Sequence, residues 1–280
     1  MAAWGRLPIA VAEALKRQGA RVSCLAVRDH ADSALAKICD DFTWIGITKV
    51  GGAIRYFRRH GIRQATMAGK FHKVLLYRPW LLLRHLPDWT AIKTFYPYMV
   101  TGKKDGKDDT LLGMLTDAFA AGGIEFQPAT DFAPELLVPA GSVAGRPPSP
   151  AQRRDIQFGW KLAREMGRLD VGQSVCVKEQ AVLAVEAIEG TDACIGRAGE
   201  LCRKGGFTVV KVAKPQQDMR FDVPTVGLGT LQTMVDAGAR VLAIEAGKTI
   251  LLDAAAFRSF AERHKLLVIA LDDVAVASAA

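Results

Sequence analysis

The residues from Lys214 to Pro224 contain two acids and two bases at short spacing. Pro224 favours an extended conformation at the residue before it. If the preceding residues are extended too, Asp218, Arg220 and Asp222 lie on one side of the chain. Carboxylates bind Mg²⁺ jointly with substrate phosphates, and Arg220 and Lys214 are suited to neutralise phosphate oxygens. A solvent-exposed loop with a local ion pair is the alternative interpretation of the same pattern.

A second polar segment, Glu186 to Asp192, follows an apolar strand and contains a Gly-Thr pair at Gly190 and Thr191. Backbone N–H groups at the beginning of a helix bind anions. Ordinary N-capping by Thr191 or Asp192 explains the same residues without a ligand. Glu186 and Glu189 lie at a predicted strand end, which is where open α/β sheets bind their ligands.

Other motifs limit the possible chemistry. Gly69 and Lys70 follow a predicted strand and are suited to meet a phosphate, but the Walker pattern is absent. No strand precedes Gly5 and there is no Gly-x-Gly-x-x-Gly, which argues against a nicotinamide enzyme. There is also no Gly-x-Ser-x-Gly nucleophile motif. The five cysteines form no Cys-x-x-Cys and the five histidines no His-Glu-x-x-His, so a disulfide framework or a zinc site is not expected and a reducing cytosol fits.

Helical and strand periodicities alternate along both halves of the chain, which predicts an α/β fold. The segment 138–150 is rich in Gly, Pro and Ser, and we interpret it as a linker. We therefore expect a Rossmann-like domain with a parallel sheet at 1–138, a catalytic α/β domain at 142–280, and a ligand cleft between them. Helices are predicted at 7–18, 33–38, 49–60, 108–121, 150–166, 191–204, 226–237 and 254–263. Strands are predicted at 21–27, 43–45, 64–68, 124–126, 174–178, 181–187, 207–212, 240–245 and 266–271.

The charge of the chain is unevenly distributed. The net charge is +8, whereas residues 49–107 alone carry 13 basic and two acidic residues, a net of +11. Such a segment attracts phosphates, nucleic acid or an acidic membrane surface. Residues 71–100 mix aromatics, leucines and bases, which is typical either of helices packed on the sheet or of an amphipathic surface that meets lipid. Half of the residues are apolar, which excludes global disorder, and no apolar run approaches the length of a spanning helix or indicates a secretory signal.

Three C-terminal motifs together resemble a known family. Residues 170–173 (DVGQ), 184–192 (AVEAIEGTD) and 214–224 (KPQQDMRFDVP) look like the LpxI-type UDP-2,3-diacylglucosamine pyrophosphatases of lipid A biosynthesis. Weaker N-terminal matches at 5–8, 68–69 and 107–109 occur in the same order. The sequence departs from the family at its start. In the family, a strand and a run of glycines precede the Leu-Pro pair. Here only four residues follow Met1 before Arg6, so either the start was assigned late or the first strand is lost.

The resemblance implies a function and its setting. The family hydrolyses UDP-2,3-diacylglucosamine to 2,3-diacylglucosamine 1-phosphate (lipid X) and UMP, with a divalent metal, usually Mg²⁺, and water attacking phosphorus. It implies two α/β domains, a homodimer, and peripheral contact with lipid at the cytoplasmic face of the inner membrane. No nucleic-acid partner is expected, since there is no RRM, KH or zinc-finger signature.

The resemblance also suggests roles for individual residues. Asp222 matches the essential aspartate and, with Asp218 as second choice, is expected to be catalytic and to bind the metal. The other expected contacts bind substrate: phosphate through Lys214 and Arg220, the nucleotide through Gly69 and Lys70, and phosphate or sugar through Gly190 and Thr191. Further substrate-binding residues are expected at Gly5, Leu7, Gln173, Glu189, Asp192 and Lys211.

A second class of function is compatible with the same residues. A non-catalytic anion- or lipid-binding protein at the membrane surface would use the basic segment without the carboxylates. Dependence of hydrolysis on a divalent cation distinguishes an enzyme from such a binding protein.

Overall fold

The computed structural model describes residues 1–69, 86–100, 108–220 and 222–278. The chain divides into two compact units, Met1–Pro134 with Asp218–Phe221, and Glu135–Gln217 with Asp222–Ala280. Both units combine helices with sheets, which confirms the predicted α/β class. Lys70 and residues 71–85 of the predicted amphipathic surface lie outside the described residues. No helix in the described ranges is long and apolar enough to cross a membrane.

The first unit alternates short strands and helices. Its strands are β1 (Ser23–Val27), β2 (Asp41–Ile45), β3 (Gln64–Ala65) and β4 (Glu125–Phe126). Its helices are α1 (Leu7–Arg17), α2 (Leu35–Ile38), α3 (Val50–Arg59), α4 (Trp89–Val100), α5 (Asp108–Ala121) and α6 (Ala129–Phe132), and a 3₁₀ turn follows at Pro134–Leu136.

The first three residues join the two parallel strand pairs of this unit. β1 pairs with β2 and β3 with β4, both in parallel. Ala2 bridges in parallel to Ala26 on one side and to Ala68 on the other. Its N–H donates to the Leu25 carbonyl at 2.9 Å, and the N–H of Ala3 donates to the Ala68 carbonyl at 2.8 Å. Residues 1–3 therefore occupy the central position of the sheet.

The two faces of this sheet are covered by different helices. Cys24 and Ala26 pack with α1 and α2, whereas Leu25 packs with α3 and α5 around Phe57 and Phe119. This alternation follows from the two-residue period of a strand. A parallel sheet buried on both faces is the Rossmann-like layering that the sequence predicts.

The second unit contains one larger sheet. Its strands are β5 (Gly141–Ala144), β6 (Ser174–Lys178), β7 (Ala181–Val185), β8 (Thr208–Lys211), β9 (Thr225–Val226), β10 (Val241–Glu245), β11 (Ile250–Leu251) and β12 (Leu267–Leu271). Its helices are α7 (Pro150–Arg168), α8 (Thr191–Leu201), α9 (Leu228–Ala237), α10 (Ala254–Arg263) and α11 (Asp273–Ser278).

The sheet of the second unit has six strands in the order β5-β12-β10-β8-β6-β7. β12, β10 and β8 are parallel, while β5 and β6 run antiparallel to their neighbours. α7 covers one face, where Trp160 packs with Val210, and α8 to α10 cover the other, where Val209 packs with Phe257. β9 and β11 form a separate parallel pair.

The prediction of a linker at 138–150 is wrong for the central residues of that segment. Residues 141–144 form β5, which pairs antiparallel with β12. Gly145 follows with a φ of +81°, and a Cβ there would meet the Leu266 carbonyl oxygen at 2.4 Å. The glycines that suggested a flexible linker instead allow an edge strand to lie close to its neighbour.

The helix predicted at 226–237 begins two residues later than expected. Val226 belongs to β9 and pairs with Leu251, and α9 starts after Gly227. The β-branched residues Thr225 and Val226 favour a strand directly after Pro224.

α8 and α9 approach each other closely at one glycine. A Cβ at Gly199 would meet the Ala237 carbonyl oxygen at 2.7 Å, whereas a Cβ at Gly196, one turn earlier, would meet nothing within 4 Å. The same helix therefore has one glycine at a packed position and one at an open position, and alanine substitutions at the two can be compared directly.

We expect Gly199→Ala to lower the free energy of unfolding by about 1–3 kcal/mol because the added methyl group overpacks the contact with α9. Gly196→Ala should raise it by about 0.5–1 kcal/mol through helix propensity. Urea denaturation of both variants measures the difference. Equal effects of the two substitutions would contradict the packing of α8 on α9.

Candidate functional site

Several polar residues lie at one edge of the six-stranded sheet. β7 runs parallel to β8 because β6 is antiparallel to both, so the ends of β7 and β8 meet the start of β6. Ser174 at the start of β6 is paired with Lys211 at the end of β8. Glu186 follows β7 directly, and its N–H donates to the Ser174 carbonyl at 2.9 Å. The carboxyl edge of this sheet thus gathers an acid, a base and a hydroxyl.

Thr191, the first residue of α8, connects these groups. Its Oγ1 lies 3.0 Å from Oε1 of Glu186, 3.1 Å from Nζ of Lys211 and 3.2 Å from Oγ of Ser174. Glu186 and Lys211 are each 6% exposed and Ser174 is 1% exposed. Lys211 also donates to the Thr225 carbonyl at 3.3 Å. We call Ser174, Glu186, Thr191 and Lys211 the Thr191 cluster.

The chemistry of the groups determines the direction of each hydrogen bond. A carboxylate only accepts and an ammonium only donates. Thr191 therefore donates its single proton to Glu186 and accepts from Lys211. Its remaining lone pair accepts from the hydroxyl of Ser174. One threonine hydroxyl thus uses all of its hydrogen-bonding capacity inside the protein.

Two buried acceptors beside this cluster have no donor within the described residues. They are Oε2 of Glu186 and Oε1 of Gln173, the residue before Ser174. The two acceptors lie on adjacent segments because Gly172, the residue before Gln173, lies against the backbone of Glu186. A Cβ at Gly172 would lie 2.0 Å from the Glu186 carbonyl oxygen. Buried acceptors without donors are costly, so a ligand hydroxyl or amide group is the kind of partner they favour.

The run before Pro224 is not extended, so Asp218, Arg220 and Asp222 lack the conformation that would place them on one side of the chain. Met219 and Arg220 form a turn. Oδ1 of Asp218 accepts from the backbone N–H of Arg220 at 3.0 Å, an Asx-turn that competes with an extended chain. The three side chains therefore do not alternate along one strand.

Two of the four charged side chains of this run pair with each other, a third pairs with an acid outside the run, and one acid is left. The guanidinium of Arg220 donates to both carboxylate oxygens of Asp218, the shortest contact being 2.6 Å. This pairing lowers the pKa of Asp218 and raises that of Arg220. Lys214 donates to Oδ1 of Asp170 at 2.9 Å. Asp222 is half-buried, and no described residue pairs with its carboxylate.

The donor set fits a metal only in part. Among the described residues, no three His, Cys, Asp or Glu side chains lie together as a metal cage. Mg²⁺ is commonly held by one or two carboxylates together with substrate phosphates, which requires no such cage. Asp222 fits this role, whereas Asp218 would first have to release Arg220.

The other acids predicted near α8 have partners of their own. Glu189 is paired with Arg197 and accepts from the N–H of Ala187 at 3.2 Å. Asp192 accepts from the hydroxyl of Thr230 at 3.1 Å. Gly190 precedes α8 with a φ of +85°, and no side chain in the described part of the chain caps this helix. The alternative interpretation, ordinary N-capping by Thr191 or Asp192, is therefore wrong, because the hydroxyl of Thr191 donates to Glu186 and Asp192 accepts from Thr230.

The first unit brings together two of the predicted N-terminal residues. Gly69 has a φ of +98°, and a Cβ there would lie 2.8 Å from the Trp4 carbonyl oxygen. Gly5, with a φ of +107°, turns the chain from the central strand position into α1, which begins at Leu7. The sheet order reverses between these two segments, and ligands bind at such a point in open α/β sheets. The neighbouring Lys70 lies outside the described residues.

Two members of the Thr191 cluster were not among the predicted site residues. The sequence predicts Glu186 only as an acid at a strand end, and the structure adds the bond of its carboxylate to Thr191. Nothing in the sequence marks Ser174 as a site residue, because a serine at the start of a strand is common.

Comparison with known proteins identifies relatives over the whole chain. Residues 1–136 match the model of the LpxI N-terminal domain, and residues 139–269 match that of the LpxI C-terminal domain. A protein of Caulobacter vibrioides named UDP-2,3-diacylglucosamine pyrophosphatase LpxI is 31% identical over 279 residues. The similarity covers 97% of this chain and 96% of that protein.

We expect Thr191→Val to lower the free energy of unfolding by about 1–3 kcal/mol, since it leaves Glu186, Lys211 and Ser174 without their shared partner. Thr191→Ser keeps the hydroxyl and should lose less than half as much. Urea denaturation of the two variants measures this. If serine is as destabilising as valine, the hydroxyl is not what holds the cluster.

Proposed function

Because the chain belongs to the LpxI family, we propose that it hydrolyses the pyrophosphate bond of UDP-2,3-diacylglucosamine. Water is added across the bond, giving 2,3-diacylglucosamine 1-phosphate and UMP. The activity named for the Caulobacter relative and the match of both halves to the family support this substrate. The observation that carries the catalytic assignment is the Asp222 carboxylate, which has no partner within the described residues while Asp218 is paired with Arg220.

Asp222 is the residue that we propose to hold a divalent cation and to orient the attacking water. A half-buried carboxylate without an internal partner is available for both tasks. When bound, Mg²⁺ would neutralise charge on the phosphate oxygens. Lys214 and Arg220 are proposed to contact phosphate, and Asp170 and Asp218 orient these two cations.

The Thr191 cluster is proposed to bind the sugar side of the substrate. The acceptors Oε2 of Glu186 and Oε1 of Gln173 need donors, and the hydroxyl groups of a sugar supply them. The N–H groups at the start of α8 and the ammonium of Lys211 add positive potential for a phosphate at the same edge. Gly190, Asp192 and Glu189 frame this edge, and Gly5, Leu7, Gly69 and Lys70 are proposed to contact the nucleotide.

Peripheral contact with anionic lipid is also part of the proposal. Trp89, Ile92 and Tyr96 follow one face of α4 and are 77%, 41% and 59% exposed. Lys93 on the same helix is exposed, and α3 adds Arg55, Arg58 and Arg59. Apolar side chains beside basic ones favour an anionic membrane surface. The homodimer and the location at the cytoplasmic face of the inner membrane stay predictions from the family resemblance.

Release of UMP from purified protein and UDP-2,3-diacylglucosamine tests the reaction and the role of Asp222. We expect Asp222→Asn to lower kcat roughly 100-fold or more with a small change in KM, because a general base or metal ligand is lost. Asp236→Asn is the matched control, since Asp236 is an exposed acid of α9 whose side-chain partner among the described residues is Gln232. A variant at Asp222 with wild-type kcat would refute its catalytic role.

The metal is tested separately from the reaction. EDTA should abolish UMP release, and excess Mg²⁺ should restore it. Full hydrolysis in EDTA would remove the metal from the proposal and leave the reaction in place. Absence of UMP release under all conditions, with binding to anionic vesicles retained, would instead favour the non-catalytic lipid-binding protein.

A further inference from the structure

A cavity in the second unit lies on the face of the six-stranded sheet that α7 covers. It has a volume of about 350 Å³ and lies between the start of α7, β12 and α11. Its most buried lining residues are Ile156, Leu267 and Val276, which are 2%, 4% and 7% exposed. The same face of β12 contributes Ile269 and Leu271. The floor of this cavity is therefore apolar.

Two arginines lie at the rim of the cavity. Arg146 and Arg153 both line it and both are exposed. Nε of Arg153 donates to the Pro148 carbonyl at 3.2 Å, which holds the side chain over the segment before α7. Among the described residues, no acid lines the cavity and neither guanidinium has a carboxylate partner. An apolar floor and an uncompensated positive rim are complementary to an anionic amphiphile.

The size of the cavity limits the occupant to one chain. A volume of 350 Å³ is at the lower end of the range of about 300–1,000 Å³ for small-molecule pockets. At about 30 Å³ per heavy atom, as for liquid water, it accommodates roughly a dozen heavy atoms. Guanidinium groups bind carboxylates through paired hydrogen bonds, which matches a head group at the rim.

We propose that this cavity binds one fatty-acid chain, with its carboxylate held by Arg146 and Arg153. The apolar chain lies against Ile156, Leu267 and Val276. This site is independent of the hydrolytic site, because none of its lining residues belongs to the Thr191 cluster or to the run before Pro224.

Calorimetric titration with dodecanoate below its micellar concentration tests the proposal. Wild-type protein should bind one equivalent, and dodecanol, which lacks the charge, should bind about tenfold more weakly. Arg153→Glu should weaken dodecanoate binding about tenfold or more. Arg154→Glu is the matched control, since Arg154 is the exposed neighbour in α7 that does not line the cavity, and it should change binding less than twofold.

A second variant tests the cavity itself. Ala275→Phe fills the space from α11 and should abolish binding, while circular dichroism and the thermal midpoint confirm that both variants are folded. UMP release should be unchanged in Arg153→Glu, which separates this site from the proposed enzymatic function. The proposal is overturned if dodecanoate does not bind, if Arg154→Glu weakens binding as much as Arg153→Glu, or if Ala275→Phe leaves the affinity unchanged.

Discussion

The carboxyl edge of the six-stranded sheet depends on the hydroxyl of Thr191. This oxygen is bonded to groups from β6, β8 and the residue after β7, so one atom joins three strand ends to the start of α8. The close approach of Gly172 to the backbone of Glu186 makes the arrangement possible, because any side chain at that glycine would separate the two segments. Two of the sequence motifs that resemble the LpxI family, 170–173 and 184–192, thus meet at this point.

The cluster also explains how two opposite charges are accommodated in the interior. Glu186 and Lys211 are almost completely buried, and burial of an isolated charge is strongly unfavourable. They are connected through Thr191, and the described structure leaves one carboxylate oxygen of Glu186 without a donor. A purely structural pair would be expected to satisfy every oxygen. An acid held in place by one oxygen, with the other unsatisfied, is the arrangement expected of a residue that receives a ligand.

Periodicity was sufficient to predict most elements of the fold. Strands such as Ser174–Lys178 and Val241–Glu245 and the helix Ala254–Arg263 were predicted within one residue, because their apolar patterns are regular. The errors occurred where long-range contacts override local preferences. The glycines at 141 and 145 suggested a linker, but Gly141 begins an edge strand and Gly145 directly follows it. The sequence pattern missed this strand because its partner β12 is more than a hundred residues away. Residues 1–3 are too few to carry a strand pattern, and their central position depends on pairing with Leu25 and Ala68.

The candidate site was predictable in its residue types but not in its pairings. Alternation of Asp218, Arg220 and Asp222 suggested one shared cluster, and the side chain of Asp218 instead forms a local turn with Arg220. Asp170 pairs with Lys214 across 44 residues, which spacing alone does not reveal. Such pairings are decided by tertiary geometry, which sequence patterns describe only indirectly.

The arginines of the second unit show how pairing separates structural from ligand-binding cations. Arg164 donates to the buried Glu245 at 2.8 Å and to Asp273 at 2.9 Å, so its charge is neutralised inside the protein. Its contacts stabilise the ends of β10 and β12 and leave little capacity for a ligand. Arg146 and Arg153 lie beside an apolar cavity without an acid, so their field is available to an external anion. The location of acids relative to arginines, rather than the net charge of the chain, therefore determines where this unit is able to bind anions.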